Sequence, residues 1–266
     1  MTPIRIGALI SGGGSNLQAI IDACEDSRID GRMAFVGSDV PGAGGLQRAR
    51  HHGIPTFVVD YGAIVDQYRQ APETLAPPSD FDPAEIGAKQ HLLGPEAAPS
   101  RVHAFLTTRA VAEARLLDHI APFAPDLLVL AGFMRNLTPY FIDRFNTDPD
   151  RPRIMNIHPA LLPAFPGVDG YGDTLRYGCK VGGCTVHFID YGEDSGPIIG
   201  QRCFPITESD TLDSVKQRGL TLEWQLYPEC IQYFAQDRLQ VVTMTHTGPQ
   251  GRPPVQRRVV KILRSP

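Results

Sequence analysis

Ile4 to Ile10 forms a short, mostly apolar run that halts at Ser11-Gly12-Gly13-Gly14. Such a run, apolar on both faces, suits a strand buried inside a parallel sheet, where helices cover both sides. The period then changes. From Asn16 to Ser27, residues Leu17, Ile20, Ile21 and Cys24 fall on one helical stripe, with Asn16 near the expected N-cap. Strand and helix recur as Met33–Val36 with Ala43–His51. They recur again as Thr56–Asp60, Ala110–Ile120, Leu127–Ala131 and Ile154–Ile157. This alternation predicts an α/β fold with a doubly wound, mostly parallel sheet. Cys184–Asp190 and Ile198–Phe204 then read as a late antiparallel strand pair joined by a Gly/Asp turn. Leu212–Phe234 is the longest helical pattern, and Leu239–Val242 reads as a last strand.

At 266 residues, 42% hydrophobic and 20% charged, the chain can bury one sizeable core. The expected organisation is a single domain over 1–242 followed by a C-terminal tail over 243–266. A net charge of −4, with no dense basic run before that tail, argues against a nucleic-acid partner. No membrane-length apolar stretch or secretory leader is evident, and five scattered cysteines suit reduced thiols, so a cytoplasmic protein is expected. Cys179 and Cys184 could be half of a zinc site, but no second ligand pair accompanies them, and no metal is signalled. The connection over about 61–101 is anomalous. Six prolines between Ala71 and Ser100 argue against a long helix, and the segment reads as an insertion on one domain. Its replacement by a short linker is expected to leave activity within about tenfold, because long surface loops cost little to close.

Four patches carry chemistry. Ser11-Gly12-Gly13-Gly14-Ser15-Asn16 lies between the first strand and the first helix, where glycines admit a ligand and helix N–H groups face an anion. The dinucleotide fingerprint would need glycine at Leu17, and the lysine of a P-loop is missing, so a monophosphate suits better. A bare glycine triplet could equally be a tight turn; its place in the first βα connection favours binding. Asn156-Ile157-His158-Pro159 puts an amide and an imidazole two residues apart on one strand face, stopped by a proline at the sheet's C-terminal edge. The amide can hold an oxyanion and the imidazole can move protons. Asp194, in Asp190-Tyr191-Gly192-Glu193-Asp194-Ser195-Gly196-Pro197, can orient the histidine or accept a proton through water, although such a string alone reads as an acidic turn. His187 reads as a core histidine. Ala131 to Asn136 could be pocket wall or simply core plus surface.

Together these patches resemble the glycinamide ribonucleotide formyltransferase family of purine synthesis, over roughly Ile4 to Val242. The resemblance implies a Rossmann-like formyltransferase fold and transfer of a formyl group from 10-formyltetrahydrofolate to the amine of glycinamide ribonucleotide. It implies Asn156, His158 and Asp194 as catalytic residues, and Gly13, Gly14, Ser15, Asn16 and Glu223 as ribonucleotide contacts. Folate contacts would be Arg109, Met134, Arg135, Asn136, Leu137, Asn156 and the loop Asp190, Tyr191, Gly192, Glu193, Asp194. The implied partners are these small molecules, with no nucleic acid, membrane or metal, in a monomer or homodimer. Two features depart from the family: the insertion, and a Val168–Asp173 loop without the histidines common after its Pro-Gly. Rival readings are a formyltetrahydrofolate deformylase and a non-catalytic binding module. The glycine turn weighs against the first, since water needs no phosphate site, and the intact Asn156, His158 and Asp194 weigh against the second.

Overall fold

The computed structural model describes residues 2–247 and 253–264. Strand β1 (Ile4–Ile10) leads into α1 (Ser15–Glu25), β2 (Gly31–Ser38) into α2 (Gly44–His51), and β3 (Thr56–Val58) into α3 (Tyr61–Gln70). Helices α4 (Pro83–Lys89) and α5 (Pro99–Ile120) precede β4 (Leu127–Leu130), α6 (Pro139–Phe145), β5 (Ile154–His158) and α7 (Gly170–Arg176). The pair β6 (Val181–Phe188) and β7 (Ile198–Pro205) is followed by α8 (Leu212–Ala235), β8 (Leu239–His246) and β9 (Val255–Ile262). One seven-stranded sheet has the order β3-β2-β1-β4-β5-β6-β7. Its first five strands are parallel, while β6 and β7 run antiparallel to their predecessors. The winding reverses between β1 and β4, and there Ser11 N–H donates to the Gly132 carbonyl at 2.9 Å.

Alternation along the strands builds two cores. Ile6, Ala8 and Ile10 of β1, with Leu127 and Val129 of β4, pack against α1 and α8 through Leu17, Ile20, Leu226 and Ile231. On the other face, Leu9, Leu128 and Leu130 pack against Val111, Leu116 and Phe141 of α5 and α6. Each such buried aliphatic side chain contributes roughly 1.5–3 kcal/mol over its exposed state. A strand between two helical layers must be apolar on both sides, which explains the uninterrupted runs.

Three expectations change. Between Ala71 and Ser100 no long helix forms, as expected, but three of the six prolines start helices. Pro72, Pro83 and Pro99 occupy first turns, where a missing N–H removes no intrahelical bond. Helix α5 consequently begins eleven residues before Ala110, through the i, i+3, i+4 set Val102, Phe105 and Leu106. Asn16 is not a cap. Gly14 takes that place with φ +74°, and a Cβ there would lie 2.8 Å from the Gly45 Cα. The chain also does not become a free tail after Val242. Strand β8 runs to His246 and pairs with β9, and Leu239, Val241 and Val260 pack on the first core. Among the described residues no helix is long and apolar enough to cross a membrane.

Tyr227 of α8, 0% exposed, fastens the sheet one strand beyond the reversal. Its hydroxyl lies 2.8 Å from the Met155 carbonyl and 3.2 Å from that of Leu130, bridging β5 and β4. Replacing Tyr227 with Phe leaves the packing intact but strips both buried carbonyls of this donor. Stability should fall by about 1–3 kcal/mol in urea unfolding, with unchanged m-value. An unchanged midpoint would show the hydroxyl to be dispensable.

Candidate active site

A cleft of about 430 Å³ opens at the C-terminal ends of β1, β4 and β5, where open α/β sheets bind ligands. Of the residues picked out above, Asn16, Arg109, Met134, Arg135, Asn136, Leu137, Asn156, His158, Gly192, Glu193, Asp194 and Glu223 line it. Gly13, Gly14 and Ser15 form the adjoining turn, whereas Asp190 and Tyr191 point into their own loop and neighbours. Asp190 accepts from Gly192 N–H and Ser195 Oγ at 3.1 and 2.5 Å, and Tyr191 donates to Asp143 at 2.5 Å.

Asn156 and His158 do share one face of β5, and Asp194 joins them. Its Oδ2 is 3.1 Å from His158 Nδ1 and accepts Gly167 N–H at 2.9 Å. Its Oδ1 is 3.5 Å from Asn156 Nδ2 and 3.6 Å from His187 Nε2. His187 Nδ1 lies 2.9 Å from the Phe188 carbonyl, which leaves Nε2 to accept from Asn156 Nδ2 at 3.3 Å. His187 is therefore a supporting member of the cluster as well as a core histidine. His158 is 2% exposed, and its Nε2 is 2.7 Å from the Phe165 carbonyl. Both ring nitrogens thus face acceptors, an arrangement only the imidazolium satisfies. Burial opposes that charge most strongly, but the Asp194 hydrogen bond and charge, aided by the Phe165 carbonyl, raise the pKa above its ordinary 6.5. Burial likewise opposes ionisation of Asp194, and the His158 hydrogen bond and charge, with the Gly167 N–H, reverse it, holding the carboxyl well below the usual carboxylate range. Phe165 and Asp194, which bracket the imidazole, both have left-handed backbones with φ +54° and +50°.

On one side of this cluster, the glycine turn is braced from outside. Gly45 N–H bonds the Gly12 carbonyl at 3.0 Å and Arg48 Nε the Gly13 carbonyl at 2.8 Å. The first intrahelical bond of α1 runs from Gln18 N–H to Gly14 O, so the preceding N–H groups face outward as an anion site requires. Asn16, 8% exposed, turns inward and donates to Glu223 Oε2 at 2.7 Å, while Tyr171 donates to Oε1 at 2.5 Å. The Asn16 Oδ1 is buried and without a partner among the described residues. Tyr171, Lys216 and Leu220 also line the cleft and were missed in the sequence. The spacing Lys216, Leu220, Glu223 (i, i+4, i+7) puts one stripe of α8 on the cleft, a signal that was available.

On the other side, apolar Phe133, Leu137 and Ile189 form a wall with Met134, Arg135 and Asn136. Ser11 Oγ accepts Met134 N–H at 2.8 Å and donates to buried Asp39, which also pairs with Arg135 at 2.6 Å. The glycine turn and the Gly132–Leu137 wall are thereby tied together. Asn136 Nδ2 donates to Glu193 at 3.2 Å, linking that wall to the Asp194 loop. Arg109 lies over the Tyr61 and Phe105 rings at 5.0 and 5.1 Å. Near it, burial pushes the Glu113 carboxyl up to about 7, against hydrogen bonds from Thr138 that favour its charged form.

The family described as "Formyl transferase" matches residues 4–231, and the chain belongs to it. Phosphoribosylglycinamide formyltransferase of Escherichia coli (strain K12) is 34% identical over 238 residues, 90% of each chain. The protein of that name from Bacillus subtilis (strain 168) is 31% identical over 227 residues, covering 85% of this chain and 92% of that one. Glycinamide ribonucleotide transformylase 1 from Symbiobacterium toebii superposes with a TM-score of 0.69 at 37% identity, over 99% of this chain and 95% of its own.

The His158–Asp194 pair makes a signed pH prediction. Because the imidazole pKa is higher folded than unfolded, its contribution to stability is fully present below about pH 6.5 and lost as pH rises through the folded value. By NMR of the labelled ring, His158 should titrate above 6.5, and Asp194→Asn should lower that midpoint. A midpoint at or below 6.5 in the unsubstituted chain would rule out the ion pair in solution.

Proposed function

We propose that this chain transfers the formyl group of 10-formyltetrahydrofolate to the primary amine of glycinamide ribonucleotide. The observation that carries this reading is the meeting of Asn156, His158 and Asp194 in one cleft, between the glycine turn at α1 and the apolar Phe133–Leu137 wall. The phosphate is assigned to the N–H groups of Gly13 to Asn16, and the ribose hydroxyls to Glu223. The flat pterin is assigned to the wall of Met134 to Leu137, the 190–194 loop and Arg109. The protein acts in the cytoplasm as a monomer or homodimer, a single domain bearing the insertion.

The amine attacks the formyl carbon, forming one C–N bond, and the carbonyl oxygen becomes an oxyanion. Asn156 Nδ2 holds that oxygen; its present partners, at 3.3 and 3.5 Å, are long and readily exchanged. The His158 imidazolium contributes its charge, since both ring nitrogens are engaged by Asp194 and the Phe165 carbonyl. Asp194 stays anionic and orients the water through which the amine's proton reaches the leaving folate nitrogen as the second C–N bond breaks. A carboxyl held this far below its usual range is a fixed charge, not the final proton acceptor.

Tetrahydrofolate release from 10-formyltetrahydrofolate, measured with and without glycinamide ribonucleotide, tests the reading. Release should depend strictly on the ribonucleotide, because a bound amine reacts at a high effective concentration. Asn156→Ala should slow it about 10²–10³-fold, or about 3–4 kcal/mol, as for one lost oxyanion donor. Comparable release without ribonucleotide would favour a deformylase, and no release in either case a binding module. The phosphate assignment is tested at Gly13, where an added Cβ meets no atom within 4 Å, so the fold tolerates it. Gly13→Val should raise KM for the ribonucleotide far more than for the folate. Gly14→Val would not discriminate, because its side chain would collide with the Gly45 backbone.

A further inference from the structure

Asp194 is held in a conformation uncommon for a non-glycine residue, φ +50°, in a loop whose neighbours Glu193 and Ser195 are exposed. Backbones of this kind persist only where the surroundings over-determine them. Within the loop, the Asp190 side chain supplies two bonds. Asn136 holds Glu193, and His158 and the Gly167 N–H hold the Asp194 side chain; a further restraint comes from the insertion. Its second half is docked on α5 and α6. Asp80 accepts from Tyr140 and Arg144 at 3.0 and 2.7 Å, Ile86 is buried with Leu106, Ala110 and Tyr140, and Lys89 pairs with Asp143 at 2.9 Å. Past α4 the Gln90 side chain accepts the N–H groups of Leu92 and Leu93, both at 2.8 Å, folding the chain into a hook. That hook presents His91 N–H to the Tyr191 carbonyl at 2.9 Å, while the Tyr191 hydroxyl donates to Asp143, the same carboxylate that Lys89 holds.

We infer that the hook at Lys89–Leu93 is a positioning element for the reaction: it grips Tyr191 at its carbonyl directly and at its phenol through Asp143, which Lys89 holds, three residues before Asp194. The inference rests on the function proposed above. It replaces the expectation that the insertion is dispensable, since a linker in place of Ala71–Pro99 would remove the hook. Lys89, Gln90 and His91 line no part of the cleft and act only through the loop. Small displacements of a catalytic group can cost on the order of a hundredfold in rate, so a grip outside the cleft reaches the chemistry.

His91→Pro removes the N–H donor and is compatible with the extended backbone of Gln90 (φ −74°, ψ 143°). Tyr191→Phe removes the phenol bond independently, and His91→Ala keeps the N–H and serves as the control. Amide hydrogen exchange over residues 190–196 is measured without substrates, and kcat and both KM values are measured in the transfer assay. His91→Pro and Tyr191→Phe should each speed exchange in that segment about tenfold or more while leaving exchange in β1 and β4 unchanged. Each should lower kcat by about 10–100-fold with KM for the ribonucleotide within about twofold, and His91→Ala should match the unsubstituted chain. Unchanged loop exchange in both variants overturns the inference, as does faster exchange with unchanged kcat. If the unsubstituted chain transfers no formyl group, the proposed function fails, and the exchange comparison alone decides whether the hook restrains the loop.

Discussion

Asp194 carries its charge where burial disfavours it, and much of the cleft is arranged around that fact. An imidazolium at 3.1 Å, a backbone N–H at 2.9 Å and an amide at 3.5 Å converge on one carboxylate. The imidazolium and the amide come from β5 and the N–H from the loop after it, while the carboxylate itself sits in the hairpin loop that returns past both. The ion pair is costly in isolation and becomes favourable only where further hydrogen bonds hold both partners, here the Gly167 N–H on the carboxylate and the Phe165 carbonyl on the imidazolium. Its left-handed backbone, and that of Phe165, are the local strain that this convergence sustains.

The same logic repeats with less charge elsewhere in the cleft. Asp39 fixes Ser11 and Arg135, and Ser11 in turn takes the Met134 N–H, so the glycine turn and the Gly132–Leu137 wall are not independent loops. Glu223 has both oxygens occupied by Asn16 and Tyr171. These bonds hold the carboxylate in one orientation and leave its second lone pairs, with the Asn16 Oδ1 that has no partner among the described residues, to meet a ligand.

How much of this was legible in the sequence follows from the range of the interactions. Strands β1, β4 and β5 were legible because burial on two faces leaves an unmistakable apolar run. The Asn156-x-His158-Pro159 spacing was legible because strand geometry is local. Asn16 was misassigned because its partner Glu223 lies 207 residues away, and no local rule reveals that a cap-type residue turns inward. Tyr171 was hidden for the same reason, in a loop noted only for what it lacks. The prolines do keep long helices out of the insertion, but composition ignores position: at the first turn of a helix the same residue is favourable, so the start of α5 at Pro99 was hidden.

Two packed layers meet at the cleft without mixing. Asn16 of α1 and Lys216, Leu220 and Glu223 of α8 extend from the layer built on Leu17, Ile20 and Leu226, whereas Arg109 of α5, Phe133 and Leu137 extend from the layer built on Leu116, Leu128 and Phe141. The sheet is a partition, and Asn156, His158 and Asp194 sit at the seam. On the function proposed above, the amine lies against one layer and the carrier of the one-carbon unit against the other. Substitutions that repack one layer then reach one substrate first, and the Ser11–Asp39–Arg135 link is where a change in one is passed to the other.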